Sequence, residues 1–201
     1  FGAVFNDPRD YNIDSHQYVS LDYQHPVGKW QLDAGTSYDQ ARLQGPVPEA
    51  PLMAGEPIVL STYSFRGNWW TGEIKVSRDL FERNHLTIGS EVRDNLRQDQ
   101  GDLLNPPNAF APEPNSSLIT ALYVQDEFGI TSRLTLNAGV RYDHYSTFGG
   151  TTNPRAALIY RAADKTTLKL LYGNAFSAPD VYETSPDFGI FYDDNLKLQP
   201  E

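Results

Sequence analysis

Four aromatic side chains near the end of the sequence, Tyr182, Phe188, Phe191 and Tyr192, stand beside Asp187, Asp193 and Asp194. Flat apolar rings among hydrogen-bonding groups suit a grip on a planar chelate or a sugar, so these four are the candidate ligand-binding residues. Ordinary loop packing draws on the same residue types. The carboxylates of Asp193-Asp194 and of Asp99-Gln100-Gly101-Asp102 are of the kind that holds a hard cation. Neither string has EF-hand spacing, and a solvated acidic loop is the commoner use. The four histidines, His16, His25, His85 and His144, show no HExxH or H-x-H spacing, so no metal centre is expected. There is no P-loop, no GxGxxG and no GxSxG, and no carboxylate pair is set for acid–base work. The sequence therefore points to no catalytic residue and no cofactor. Asn115-Ser116-Ser117 matches a glycosylation sequon, a string frequent by chance.

Composition narrows the elements that must position such residues. A net charge of −10 argues against nucleic acid, which calls for a basic stripe. Tyr (12) and Phe (10) far outnumber Met (1), which favours strands over helical cores. The absence of Cys excludes a disulfide scaffold and a thiolate metal site. Apolar runs extend to only a handful of residues, too short for a membrane helix. A β-barrel stays open, because its lipid face appears only at every second residue.

Period-two alternation runs through the chain. Leu134, Leu136, Ala138, Val140 and Tyr142 fall on one face, and Thr135, Asn137, Gly139, Arg141 and Asp143 on the other. Trp30, Leu32, Ala34, Thr36 and Tyr38 alternate in the same way with polar residues and Gly35. So do Trp70, Gly72, Ile74 and Val76, then Leu86, Ile88, Ser90 and Val92. Val19, Leu21 and Tyr23, and Leu168, Leu170 and Tyr172, follow more weakly. The stretch from Leu118 to Phe128 is apolar on both faces at first, so its facing stays open. Eight strands are predicted, near 16–24, 29–39, 63–79, 85–97, 117–129, 133–145, 153–162 and 166–175. Short turns at 25–28, 80–84, 130–132 and 163–165 alternate with long connections at 40–62 and 98–116 and a shorter one at 146–152. A soluble antiparallel sandwich also alternates. Strands of about ten residues or more, with Arg, Asp, Glu, Asn and Gly on one face, favour a barrel with a hydrated lumen.

Several strings then match a known family. Leu122-Tyr123-Val124-Gln125-Asp126-Glu127-Phe128, followed by Arg133-Leu134-Thr135-Leu136-Asn137-Ala138-Gly139-Val140-Arg141-Tyr142-Asp143, resembles the central barrel hairpin of TonB-dependent receptors. Asn153-Pro154-Arg155-Ala156-Ala157-Leu158-Ile159-Tyr160 is similar to the strand that follows in that family. Lys169-Leu170-Leu171-Tyr172-Gly173-Asn174-Ala175-Phe176-Ser177-Ala178-Pro179 resembles the next string, with Ser177 where Arg is usual. Asn195-Leu196-Lys197-Leu198-Gln199-Pro200-Glu201 closes the set with an extra Gln before the Pro. Phe5-Asn6-Asp7-Pro8-Arg9 and Trp69-Trp70-Thr71-Gly72-Glu73 are looser matches.

The resemblance implies an all-β fold, an antiparallel transmembrane β-barrel of which residues 1–201 supply about eight strands as a curved open sheet. It implies a plug domain and further strands outside this sequence, a place in the bacterial outer membrane, and contact with its lipid. It also implies coupling to the TonB energy complex through the plug, and active uptake of a siderophore, cobalamin, metal chelate or glycan. Within that frame Gly139 and Gly173 mark close packing on the lumen side, where Arg141 and Asp143 are hydrated or paired. Pro154 is expected at a strand start, and Tyr142, Tyr160 and Tyr172 in an interfacial girdle. The alternatives are a complete eight-stranded barrel acting as adhesin, porin or anchor, and an outer-membrane enzyme, for which no nucleophile arrangement is present.

Overall fold

A computed structural model describes residues 4–50, 53, 55–81, 83–103, 115–174 and 176. Eight strands form: β1 (Ile13–Val27), β2 (Trp30–Glu49), β3 (Val59–Leu80), β4 (Asn84–Leu103), β5 (Ser117–Thr131), β6 (Leu134–Tyr145), β7 (Gly149–Ala163) and β8 (Thr166–Gly173). They hydrogen-bond in the order β1 to β8 as one antiparallel sheet. β1 and β8 stand at opposite ends of that order and do not pair, which sets aside the closed eight-stranded barrel.

All eight expected strands are present, but the long connections are shorter than alternation suggests. β2 continues to Glu49 and β4 to Leu103, and β3 already begins at Val59. Pro46 and Pro48 lie within β2 although Pro lacks a ladder donor. A membrane-crossing strand needs about 9–11 residues, and β2, β3 and β4 run to 20, 22 and 20. Past the bilayer both faces meet water, so the apolar–polar alternation fades while the backbone ladder persists. Asp99 to Asp102 accordingly belong to β4 and not to an acidic loop.

Cα packing divides the chain into two units. One comprises 1–19, 38–70 and 95–116, the strand ends that lead into the longer connections. The other comprises 20–37, 71–94 and 117–201, with the tight turns and β5 to β8. In this second unit the register settles the facing of β5. Leu122, Val124 and Phe128 pair with Tyr142, Val140 and Leu136, so they share the apolar face. On the same face Leu136, Ala138 and Val140 meet Leu158, Ala156 and Pro154, and Leu158 meets Leu170. Tyr160 lies near the 164–165 turn, whereas Tyr142 and Tyr172 lie toward the opposite strand ends, and all three are exposed. Pro154 is inside β7, not at its start. Its carbonyl accepts from Asn174, one residue past the end of β8, so its missing N–H falls where the ladder is already ending.

Burial is inverted relative to a water-soluble fold. Among the described residues the buried apolar side chains reduce to Ala121 and Pro48, while Asp39, Ser61, Ser64, Asn95, Asp99 and Asp143 are buried. Leu21, Leu122, Leu170 and Tyr172 are 69%, 64%, 72% and 63% exposed. Each such Leu forgoes about 1.5–3 kcal/mol in water, a loss that hydrocarbon removes. The apolar face is therefore suited to lipid, and the polar face carries the internal packing.

This facing predicts a sharp contrast between neighbours. In the protein refolded into bilayers, Leu136→Arg should cost about 2–4 kcal/mol if it lies near the midplane, and Asn137→Lys less than about 1 kcal/mol. Urea titration of the two variants measures both, and equal penalties would invert the assignment.

Candidate functional site

The polar face of the second unit carries a chain of side chains across five adjacent strands. The Tyr123 hydroxyl on β5 donates to Glu73 Oε1 on β3 at 2.5 Å, passing over β4 at Gly89. A Cβ at Gly89 would lie 2.3 Å from Tyr123 Cζ, so only glycine leaves the ring room to cross. Arg141 on β6 places its guanidinium 5.8 Å from the centre of the same ring. Its Nη1 donates to Glu91 Oε2 at 3.0 Å and its Nε to Asp143 Oδ1 at 2.7 Å. Asn153 on β7 donates to Asp143 Oδ2 at 3.3 Å, which satisfies the second oxygen of a carboxylate only 4% exposed. Arg155 adds a hydrogen bond to Gln125. Arg141 and Asp143 thus take the inward, paired roles expected of them.

Gly139 also behaves as expected, since a Cβ there would meet the Val124 carbonyl oxygen at 2.8 Å. Gly173 does not, because its nearest neighbour, Arg155 Cβ, would be at an ordinary 3.9 Å. The partners Tyr123, Glu73 and Gly89 were not singled out from sequence. Their one legible sign is that Glu73 and Gly89 sit at polar-face positions of their alternating strands.

In the first unit, His16 Nε2 on β1 is 3.0 Å from Asp39 Oδ1 on β2. The imidazole lies 5.6 Å from the Trp69 ring on β3 and 5.8 Å from Tyr18, centre to centre. In the same unit, Pro8, Arg9, Tyr11, Gln44, Pro46 and Leu60 line part of an open cleft of about 500 Å³. The cleft wall begins in a turn closed by Asp10 N–H to the Asp7 carbonyl at 3.0 Å. Arg9 grips the Asp7 carboxylate at 2.6 and 2.9 Å and holds its pKa down at about 2. A depressed carboxyl pKa stabilises the fold above the ordinary value near 3.8 and loses that contribution as pH falls through about 2, so this turn stays ion-paired at neutral pH.

The candidate ligand residues Tyr182, Phe188, Phe191 and Tyr192 lie outside the described residues, as do Asp187, Asp193 and Asp194. Two of the histidines have carboxylate partners, His16 with Asp39 and His85 with Asp79 at 2.7 Å. His25 stacks on Tyr23 with ring centres 5.9 Å apart. Asp99 accepts from Arg97. Among the described residues no three His, Asp or Glu side chains converge as a metal site. Among the described residues these side chains brace neighbouring strands against one another.

The family model described as TonB dependent receptor-like, beta-barrel, matches residues 2–201. The ferric enterobactin receptor of Pseudomonas aeruginosa is 24% identical over 130 residues, which is 60% of this chain and 17% of that protein. The ferrienterobactin receptor of Escherichia coli K12 is 23% identical over 132 residues, 59% of this chain and 18% of that protein. The chain thus spans less than a fifth of these relatives. A crystal structure of the Pseudomonas aeruginosa ferric enterobactin receptor matches 88% of this chain and 27% of its own, with TM-score 0.68 and 20% identity. The siderophore receptor PirA from Acinetobacter baumannii matches 84% of this chain and 26% of its own, with TM-score 0.62 and 18% identity. At such identities the structural likeness is one of fold.

The ring crossing at Gly89 sets a specific expectation. Gly89→Ala should destabilise the protein by about 1–3 kcal/mol, because the new methyl displaces a ring held at both ends. In a Tyr123→Ala background the same substitution should cost less than about 1 kcal/mol, since β propensity alone spans about that much. A double-mutant cycle from urea unfolding reads the coupling, and additive penalties would exclude the crossing.

Proposed function

Since the chain belongs to the TonB-dependent receptor-like β-barrel family, a family of outer-membrane receptors, we propose that it is a section of barrel wall in a receptor that carries a scarce chelate, above all a ferric siderophore, into the periplasm. The observation that carries this reading is the inverted burial, polar inside and apolar outside, on strands long enough to cross a bilayer and continue beyond it. The receptors that match are named for ferric enterobactin or for a siderophore, which makes iron chelates the first cargo to test. The remaining wall and a plug complete the barrel, and the TonB complex acts through the plug. The wall moves its ligand without changing it covalently.

In this reading the strand ends at Val27, Leu80, Thr131 and Ala163 face the periplasm, and those at Glu49, Val59, Leu103 and Ser117 face outside. The polar ladder then braces the wall against the pull that opens the passage. Glu73, Glu91, Asp143 and Arg141 are partnered within it, so the wall keeps its charges paired while cargo passes.

Two measurements test the proposal. A strain lacking the gene should lose iron-limited growth on at least one ferric siderophore, with ferric enterobactin first in the panel. Growth should return with the full-length gene only when the TonB complex is intact, and restoration without that complex would exclude active transport. For topology, Ser116→Cys should react with an impermeant thiol reagent on whole cells, whereas Ser132→Cys should react only after the outer membrane is opened. The reverse pattern would turn the wall upside down.

A further inference from the structure

The transport reading gives the apolar face of the second unit to lipid, yet Asp126 and Arg78 stand on that face near the tight turns. Asp126 pairs with Ala138, between the Val124–Val140 and Phe128–Leu136 pairs, so it shares the apolar side of β5. By alternation Arg78 shares a side of β3 with Ile74 and Val76. Its guanidinium lies over the Trp30 ring on β2, 5.5 Å from the centre. On the other face Ser37 Oγ is 2.7 Å from Thr71 Oγ1, a register that sets Trp30 opposite Arg78. The strand between, β4, fixes how far apart the two charges are. His85 Nδ1 is 2.7 Å from Asp79 Oδ1, which sets Arg78 opposite Leu86. Gly129 N–H donates to the Arg83 carbonyl at 2.8 Å and Tyr123 lies over Gly89, which sets Leu86 opposite Asp126. Arg78, Leu86 and Asp126 therefore form one row across β3, β4 and β5.

Neither charge is met within this sheet. Arg78 Nε and Asp126 Oδ1 are covered atoms with no hydrogen-bond partner among the described residues. Neither residue joins an ion pair among those residues. Asn84 donates to Asp126 Oδ2 at 2.8 Å, which orients the carboxylate and leaves its other oxygen unmet. The Trp30 ring attracts the guanidinium but brings no charge to neutralise it. Backbones two strands apart are about 10 Å from each other, and the Leu86 side chain between them has no polar atom. Such charges are tolerable beside hydrocarbon only when paired, and both side chains are half-buried, not sealed. A purely anionic headgroup would suit Arg78 and be repelled by Asp126. A quaternary ammonium would bring charge but no N–H for the carboxylate. An ethanolamine phosphate supplies both halves, since its phosphate accepts from the guanidinium and its ammonium donates to the carboxylate.

We propose that Arg78 and Asp126, with Trp30 beneath the guanidinium, form a lipid-facing site for a phospholipid with an ethanolamine phosphate headgroup. The site rests on the transport reading for its depth, because that reading puts these strand ends at the periplasmic leaflet. It holds a lipid against the outside of the wall and takes no part in moving the cargo.

The test uses the full-length receptor, stripped of lipid in detergent, and native mass spectrometry of the lipids it then retains. The probes are phosphatidylethanolamine, phosphatidylglycerol and phosphatidylcholine with the same acyl chains, in equal amounts, and lipid A in a separate run. The wild type should retain phosphatidylethanolamine about fivefold over each other probe, as much as one half-exposed ion pair supports. Asp126→Asn should bring phosphatidylethanolamine down to the level of phosphatidylglycerol. Arg78→Gln should weaken both of those lipids about fivefold, since both bring a phosphate. Tyr142→Leu, on the same face toward the opposite strand ends, should leave the pattern unchanged. Equal retention of the three phospholipids by the wild type, or tighter binding of phosphatidylglycerol or lipid A, would overturn the site without any variant having to fold. A wild-type pattern in both Arg78→Gln and Asp126→Asn, or the same loss in Tyr142→Leu, would overturn it too. Growth of the gene-deletion strain on ferric siderophores separates the two ideas. Lipid preference without a growth defect removes the transport reading alone, and a growth defect without lipid preference removes the site alone.

Discussion

In hydrocarbon an unpaired backbone N–H or C=O costs several kcal/mol, and every other feature of this wall follows from avoiding that cost. Each strand from β2 to β7 has a neighbour on both sides, so its donors and acceptors are met within the sheet. Once the backbone is paired laterally, side chains can point only to one face or the other. One face must then match lipid, and the other must hold whatever is polar. The single proline within the β7 ladder respects the same constraint, since its missing donor points past the last residue of β8. β1 and β8 each keep one unpaired edge, and in the proposed barrel the remaining strands meet them.

With the apolar face given over to lipid, packing energy has to come from the polar face. A soluble domain gains stability by burying Leu and Ile, but here Asp143, Asn95 and Ser61 are the buried groups. Such burial is tolerable only when each group is paired. Asp143 shows how this is met, taking Arg141 on one oxygen and Asn153 on the other. Arg141 is shared with Glu91, and Tyr123 bridges to Glu73 over a glycine. The result ties β3 through β7 on one face by directional bonds, which fix register more strictly than apolar contact does.

Strand number and the open antiparallel sheet were legible in the sequence. The reason is physical, because a sheet wetted on one face and oiled on the other writes a period of two into its residues. Legibility failed where that contrast fails. Gln40 to Glu49 and Gln98 to Leu103 read as loop, yet they continue β2 and β4 into water on both sides. The facing of β5 stayed open for the opposite reason, as Leu118 to Leu122 are apolar at nearly every position. Gly173 was assigned a packing role that its surroundings do not require, while Gly89 was passed over and leaves room for a whole ring.

Sequence alone determined the fold class and the family, because alternation and ordered strings such as Gln125-Asp126-Glu127-Phe128 depend on near neighbours along the chain. It also placed Arg141 and Asp143 inward, since charge on the lipid face is costly. Only the tertiary structure decided which side chains meet. Glu73 and Tyr123 are fifty positions apart, and His16 and Trp69 more than that, so their contacts exist only through the register of three or more strands. Register is a sum over many backbone bonds and turn lengths, and no local pattern of residue types encodes it.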